Sequence, residues 1–341
     1  MNEGKAKAIK FLKNIKKDDN VALIFHNDGD GFASGILMKN FVEKKCRNIW
    51  MTSFALGKSK LSGRILEELK NRNKVIIMDL ALNALASEIE LLKDKPVLYI
   101  DHHPKDIEVS WITGYFTDSS CPASKSVYEL TLEVSEDQKE KEWVAVWGLV
   151  SDYGDKYAEN QEFINNFLKR EKISLKELKE KYIYKISSFL VYFEDNFPKA
   201  FDILDKMEDY KEVKKIYKYS DIVDREIKKC VKEFKIKRER LGKTFFYYFD
   251  AKYNIKSIVI NILSSEEFDR IFVFASGFDD KTRISARCQS GKVDVAELLK
   301  KCVAGLGYGA AGGHSKTAGA TILKKDLEKF KDNLEKISKE M

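Results

Sequence analysis

The 341-residue sequence predicts an α/β protein: an N-terminal parallel-sheet domain over 1–185, a helical basic connector over 186–243 and a smaller C-terminal α/β domain over 244–341. Three observations carry this expectation. Short runs rich in β-branched and aromatic residues alternate with helical apolar spacing through the first 155 residues, as strand–helix–strand units of a covered parallel sheet do. Glycine then disappears between Gly154 and Gly242 while lysine and glutamate dominate. Strand-like runs return after Lys243, and a chain of this length is too long for one compact core.

In order along the first domain, VALIFH (21–26), NIWMTSF (48–54), KVIIMDL (74–80) and VLYID (97–101) read as strands. Residues 32–45, 59–71 and 83–93 carry helical spacing between them. A short strand near 112–116 and helices over 124–134 and 136–150 complete the domain, followed by SDYGD at 151–155. Segment 211–243 holds 13 Lys/Arg against 6 Asp/Glu, and the rest of the chain balances to zero, so this stretch carries the whole formal charge of +7. Its Val213, Ile216, Tyr217, Ile227, Val231 and Phe234 keep helical spacing, which predicts a long connector helix. Either a solvated polar face or a nucleic-acid-facing surface accounts for its charge. Beyond it, 244–251, 270–278, 282–289 and 317–323 read as strands, with helices over 293–304 and 325–339 and a glycine-rich turn before the last strand.

The five cysteines are scattered, odd in number and lack a C-x-x-C pair, which predicts reduced thiols in a cytoplasmic protein. The lysine-rich start has no apolar core of a secretory signal, and no run approaches the roughly 18–20 apolar residues of a membrane span. A soluble protein with no membrane partner is expected.

All four histidines fall within three short motifs: FHNDGDG, YIDHHP and AAGGHSKTAG. His26, Asp28 and Asp30 alternate at a strand end, where Gly29 and Gly31 permit a tight turn. Neighbouring carboxylates repel, so a cation is the natural reason to keep them together. Asp79 ends an apolar run and reads either as a helix cap or as a ligand. Asp101-His102-His103 places a carboxylate and two imidazoles at one strand end, which has little structural use. In the last domain Arg283 and Arg287 bracket Ser285 on one strand face, and guanidinium forks suit phosphate. For that arginine strand the alternative is a surface strand with ordinary charges. Gly312 and Gly313 let backbone N–H groups approach a phosphate or sugar, and His314 adds a donor.

HNDGDG, the Asp79 strand end, IDHH and SDYGD, in that order, resemble the four motifs of the DHH phosphoesterase superfamily. SARCQ…GGHSKTAG resembles its associated C-terminal substrate-binding domain, although Ala310 and Ala311 stand where relatives more often carry further glycines. The likeness covers about 20–155 and 244–323 and is strongest toward archaeal RecJ-like nucleases. It implies two divalent ions, usually Mn2+ with Mg2+ as substitute. It assigns His26 and Asp28 to one ion, Asp30, His102 and Asp152 to the other, and Asp79 as the bridge. His103 would sit beside the scissile phosphate, with Asp101 orienting an imidazole.

The implied function is a manganese-dependent exonuclease for single-stranded DNA or RNA, working with two metals. The alternatives are a phosphodiesterase for very short oligonucleotides or cyclic dinucleotides, and a partner subunit of a repair helicase or replication complex.

Overall fold

The computed structural model describes residues 3–54 and 63–341, and contacts divide the chain into two units with the boundary between Ser220 and Asp221. The first contains α1 (Glu3–Lys13), β1 (Asn20–His26), α2 (Gly29–Val42), β2 (Asn48–Phe54), α3 (Gly63–Lys70), β3 (Lys74–Met78), the short α4 (Ala86–Ile89), β4 (Val97–Asp101) and β5 (Thr113–Phe116). Helices α5 (Ala123–Leu132), α6 (Glu142–Ser151), α7 (Gln161–Glu171), α8 (Leu175–Leu178), α9 (Tyr184–Tyr192) and α10 (Phe197–Asp205) follow. Of the helix expected over 59–71, residues 59–62 lie outside the described residues.

The five strands pair in parallel in the order β2-β1-β3-β4-β5. Alternation divides each strand between two faces. Val21, Leu23 and Phe25 join the core under α1, α2, α5 and α6, whereas Ala22, Ile24, Val75, Ile77 and Tyr99 pack with Leu69, Leu82 and Ile89 on the other side. Both α2 and α6 are apolar nearly all round because they lie inside the first core. Phe25, Phe32, Phe197 and Phe201 cluster with ring centroids 5.6–6.1 Å apart. Gly148 lets α6 approach α2 and α5: a Cβ there would stand 2.4 Å from Ser124 Oγ and 2.6 Å from Ala33 Cβ.

The region expected to be a connector contributes to this first core. Ile186, Phe189, Phe201, Leu204, Val213 and Ile216 are all buried within it. Where one long helix is expected over 211–243, a 3-10 segment (Tyr210–Ile216) precedes α11 (Tyr217–Lys237). The physical reason is that Val213 and Ile216 are drawn into the core, while Gly242 (φ 60) turns the chain back into a hairpin. Much of the basic charge is paired: Lys211 with Glu171, Lys215 with Glu212, Lys229 with Glu226, Lys235 with Glu266, Lys237 with Glu233 and Arg238 with Glu267. That pattern favours the solvated-face reading.

In the second unit come β6 (Glu239–Leu241), β7 (Thr244–Tyr248), α12 (Lys256–Glu266), β8 (Ile271–Phe278), β9 (Lys281–Arg287), α13 (Val295–Val303), β10 (Gly309–His314), β11 (Thr317–Leu323) and α14 (Leu327–Glu340). The six strands run in the order β10-β11-β9-β8-β7-β6, antiparallel except for β7 against β8. Val295, Leu299, Phe330 and Leu334 of α13 and α14 share a core with Val273, Ile284 and Ile322 of the sheet. Phe234 of α11 packs against Phe245, Tyr247, Phe272 and Phe274. The glycine-rich stretch expected as a turn is instead the edge strand β10, and α12 fills a segment to which sequence periodicity assigns nothing. Among the described residues no helix is long and apolar enough to cross a membrane.

Gly148→Val should destabilise the protein by about 2–3 kcal/mol through overpacking between α2, α5 and α6. Urea denaturation checks this; an unchanged midpoint would show that the helices have room.

Candidate functional site

Register delivers the site. Phe25 pairs with Met78 and Met78 with Ile100, so the next residues of β1, β3 and β4 (His26, Asp79 and Asp101) emerge side by side at the carboxyl edge of the parallel sheet. Asp28 caps α2, its Oδ1 accepting the Gly31 N–H at 3.0 Å. Its other oxygen lies 2.8 Å from His26 Nδ1, which also stands 3.8 Å from Asp79 Oδ2. Gly31 is required for the turn, because a Cβ would lie 2.2 Å from the His26 carbonyl oxygen.

Asp79 leaves its strand in the left-handed region (φ 56). This conformation is uncommon outside glycine, and aspartate tolerates it better than most residues. Its N–H donates to the Ile100 carbonyl at 3.0 Å, and the buried Tyr99 hydroxyl holds the next residue by donating to the Leu80 carbonyl. His102 Nε2 approaches Asp79 Oδ1 at 3.3 Å and Asp152 Oδ2, at the end of α6, at 3.6 Å. His103 Nδ1 contacts Asp101 Oδ1 at 2.7 Å.

Two groups of side chains each bring their ligand atoms within 4.8 Å of one another: His26, Asp28 and Asp79, and Asp79, Asp101, His102 and His103. Asp79 belongs to both. Asp30 and Asp152 belong to neither: among the described residues Asp152 reaches only His102, and the oxygens of Asp30 accept the N–H groups of Ala123 (2.7 Å) and Ser124 (3.0 Å) at the start of α5. Asp155, the other carboxylate of SDYGD, is held by Lys179 at 2.6 Å.

These groups are electrostatically frustrated. Burial and the charges of Asp28, Asp30, Asp152 and Asp101 push the Asp79 carboxyl well above its ordinary value. Burial likewise raises Asp30 to about 7 and Asp152 to about 6, with Asp28 adding repulsion at both. Burial, with His103 beside it, lowers His102 to about 4, so this imidazole is neutral and able to ligate. His103 moves the opposite way because Asp101 accepts its hydrogen bond. Asp79 Oδ2, Asp101 Oδ2 and His102 Nδ1 are buried without a hydrogen-bond partner among the described residues. Clustered carboxylates, neutral imidazole and unpartnered oxygens fit a divalent cation, which would satisfy all three conditions together.

In the second unit, cross-strand register aligns Arg283–Thr321–Ala310, Ser285–Gly319–Gly312 and Arg287–Thr317–His314 as three rows. Arg283, Ser285 and Gly312 line a concavity of about 390 Å³ together with Lys256 of α12. Space opens in the middle row, where a Cβ on Gly312 would meet nothing within 4 Å. Arg283 stacks on Phe278 at 3.6 Å, and Lys256 Nζ donates to Ser276 Oγ at 3.0 Å. Burial and the neighbouring Arg283 lower Lys256 to about 8. Arg287 and His314 occupy the adjoining row; Arg287 donates to Asn261 Oδ1 at 2.9 Å. Gly313 (φ 135) does not line the concavity; a Cβ there would lie 2.5 Å from the Thr317 carbonyl oxygen.

Sequence reasoning overlooks several of these participants. Lys256 and Asn160 sit outside recognisable motifs, and Tyr99 reads only as a strand residue before IDHH; fully buried Asn160 donates to the Ser120 and Gly154 carbonyls at 2.6 and 2.8 Å. Their roles depend on tertiary neighbours and leave no local signal.

Family models match both units: the DHH family N-terminal domain over residues 20–150 and the DHHA1 domain over 242–340. Among solved structures, the chain is similar to an exonuclease RecJ bound to manganese, at TM-score 0.75 and 14% identity over 99% of this chain and 95% of that one. It is also similar to RecJ from Thermus thermophilus in complex with Mn2+ (TM-score 0.73, 15% identity, 99% of this chain), of which it spans only 55%. A pGpG-specific phosphodiesterase from Vibrio cholerae aligns at TM-score 0.50 and 14% identity over 95% of this chain and 99% of that one. At these identities the likeness is one of fold. No curated protein sequence matches the chain.

Asp79→Asn should raise the melting temperature of metal-free protein at pH 7 by a few degrees, since roughly 1 kcal/mol moves Tm by about 2–4 °C for a domain near 200 residues. The folded-state pKa is raised, so the wild-type penalty grows as pH rises above the unfolded value of 3.8. The gain should therefore fade toward pH 4, and calorimetry across this range checks it.

Proposed function

Because the chain belongs to the DHH superfamily, with a DHHA1 domain and a RecJ-like fold, we propose that it is a metal-dependent phosphodiesterase acting as a single-strand-specific exonuclease on DNA or RNA. The observation that carries this reading is the sharing of Asp79 between two adjacent ligand groups, as a two-ion site needs. In this reading His26 and Asp28 hold one ion and His102 and Asp152 the other, with Asp79 between them. Asp30 completes the second set with the lone pairs that its two N–H contacts leave free. Oxygen and imidazole ligands without thiolate suit Mn2+, or Mg2+ in its place. Ions bound there would supply Lewis acidity to the phosphoryl oxygens and acidify a water toward neutral pH.

The remaining roles belong to the protein. Asp101 fixes the His103 ring through Nδ1, which leaves Nε2 as the nitrogen that donates to a phosphoryl or leaving oxygen. Half-exposed His103 is reachable by substrate, whereas Asp101 is buried and acts through its neighbour. In the second unit, Arg283 and Lys256 grip a phosphate, Ser285 offers a hydroxyl, and Gly312 leaves room for the nucleotide. Gly313 sets the strand path beside them, and Arg287 and His314 extend the polar face by one row.

A second reading, a phosphodiesterase for very short oligonucleotides, is supported by the ion pairing of the basic stretch, which leaves less free charge to follow a long strand. Turnover on a dinucleotide against a 30-mer, each with Mn2+, separates the two: strong preference for the dinucleotide would displace the exonuclease reading.

The double variant Asp28→Ala/Asp79→Ala should lose hydrolysis by roughly 10³-fold or more while its circular dichroism stays native. Wild-type activity in that variant would refute the site. Lys256 is charged below about pH 8 and loses its proton above it, so kcat/KM should fall between pH 7 and 9. Lys256→Met should lower kcat/KM at pH 7 and flatten that part of the profile; a profile unchanged by the substitution would remove Lys256 from phosphate binding.

A further inference from the structure

The segment joining α6 to α7 carries Asp152 and then two exposed aromatics, Tyr153 at 51% and Tyr157 at 39% exposure. It is held firmly. Asn160 ties the Gly154 carbonyl to the Ser120 carbonyl, Gln161 donates to the Asp155 carbonyl at 2.6 Å, and Lys179 pairs with Asp155. Lys125 in turn donates to Asn160 Oδ1 at 2.8 Å. The backbone is therefore fixed by side chains from α5, α7 and the segment after α8.

On this rigid base Tyr153 adopts left-handed backbone, φ 59 and ψ 18. Glycine, asparagine and aspartate accept that region at low cost, whereas a bulky side chain there is an outlier that clusters at functional sites. Nor does burial compensate, since half the residue faces solvent. Lys156 extends its ammonium over the ring, 4.3 Å from the centroid. An aromatic face and a cation thus stand together directly after a carboxylate that approaches His102 at 3.6 Å.

We propose that Tyr153 is a base-stacking platform that seats the nucleobase next to the scissile phosphodiester, with Lys156 releasing its ring contact to pair with that nucleotide's phosphate. This rests on the nuclease reading and specifies what the site recognises. Aromatic rings accept any base, because every base presents a π-face, so the contact is tolerant of sequence and selective for unpaired nucleotides. A base inside a duplex is already stacked and does not offer that face.

Three variants test the idea. Tyr153→Gly suits the left-handed backbone and should melt at or above the wild-type temperature, so that any functional loss is not misfolding; Tyr153→Asn serves the same purpose if the glycine variant unfolds. Tyr153→Gly should lower kcat/KM on a single-stranded oligonucleotide about 10- to 100-fold, in the range of one lost stacking contact. On the same oligonucleotide with an abasic residue at the cleaved end, wild type and variant should agree within about twofold. Tyr153→Phe should retain nearly all activity, since stacking needs the ring and not the hydroxyl. Equal activity of Tyr153→Gly and wild type on the normal strand, an equal loss on the abasic strand, or a Phe variant as poor as the glycine variant would each overturn the proposal. Polarisation of a labelled oligonucleotide bound to the Asp28→Ala/Asp79→Ala protein, with and without Tyr153→Gly, reads stacking without hydrolysis. If wild type cleaves nothing, the nuclease reading falls and this binding difference alone decides the role of Tyr153.

Discussion

The first unit is organised around a repulsion. Asp28, Asp30, Asp79, Asp101 and Asp152 are gathered at one end of a parallel sheet, and burial raises the cost of negative charge at Asp30, Asp79 and Asp152. Hydrogen bonds relieve part of it: Gly31 serves Asp28, Ala123 and Ser124 serve Asp30, and His103 serves Asp101. Relief is incomplete, since Asp79 Oδ2 and Asp101 Oδ2 are buried without a hydrogen-bond partner among the described residues. A fold retains such an arrangement when a cation completes it.

The architecture that imposes this crowding is ordinary. Parallel strands in matched register end together, so whatever follows β1, β3 and β4 is brought to one edge. Glycines then set how tightly the surrounding elements close. Gly31 lets α2 begin against the His26 carbonyl, and Gly148 lets α6 bring Asp152 in against α2 and α5. Packing and chemistry are in this way set by the same few close approaches.

Much of this was legible in the residues. Strands covered on both faces need apolar side chains throughout, so VALIFH, KVIIMD and VLYID stand out, and the polar residues that end them mark the sheet edge. Histidine was informative because all four copies lie in three short motifs. Other features were hidden for identifiable reasons. β10 is built of glycine and alanine, which mimic a turn in sequence yet pair along a neighbour in the sheet. Helix α12 mixes Ser and Asn with its apolar residues and lacks a side-chain cap. The break before α11 depends on where Val213 and Ile216 are buried, and the functions of Tyr99, Asn160 and Lys256 come from partners distant in sequence. Local pattern encodes the sheet and its charged rim; it does not encode which remote groups brace them.

The two contacts from Asp30 to the start of α5 bear on how inactivating alleles of this gene are interpreted. A side chain that both faces the carboxylate cluster and anchors a helix terminus has two phenotypes under one substitution, lost turnover and loosened packing. Asp79 makes no such helix contact, and neutralising it relieves repulsion, so lost turnover there comes without loosened packing. Genetic screens that pool all acidic positions of the motif would merge these classes, whereas comparing protein abundance between the two positions would sort them.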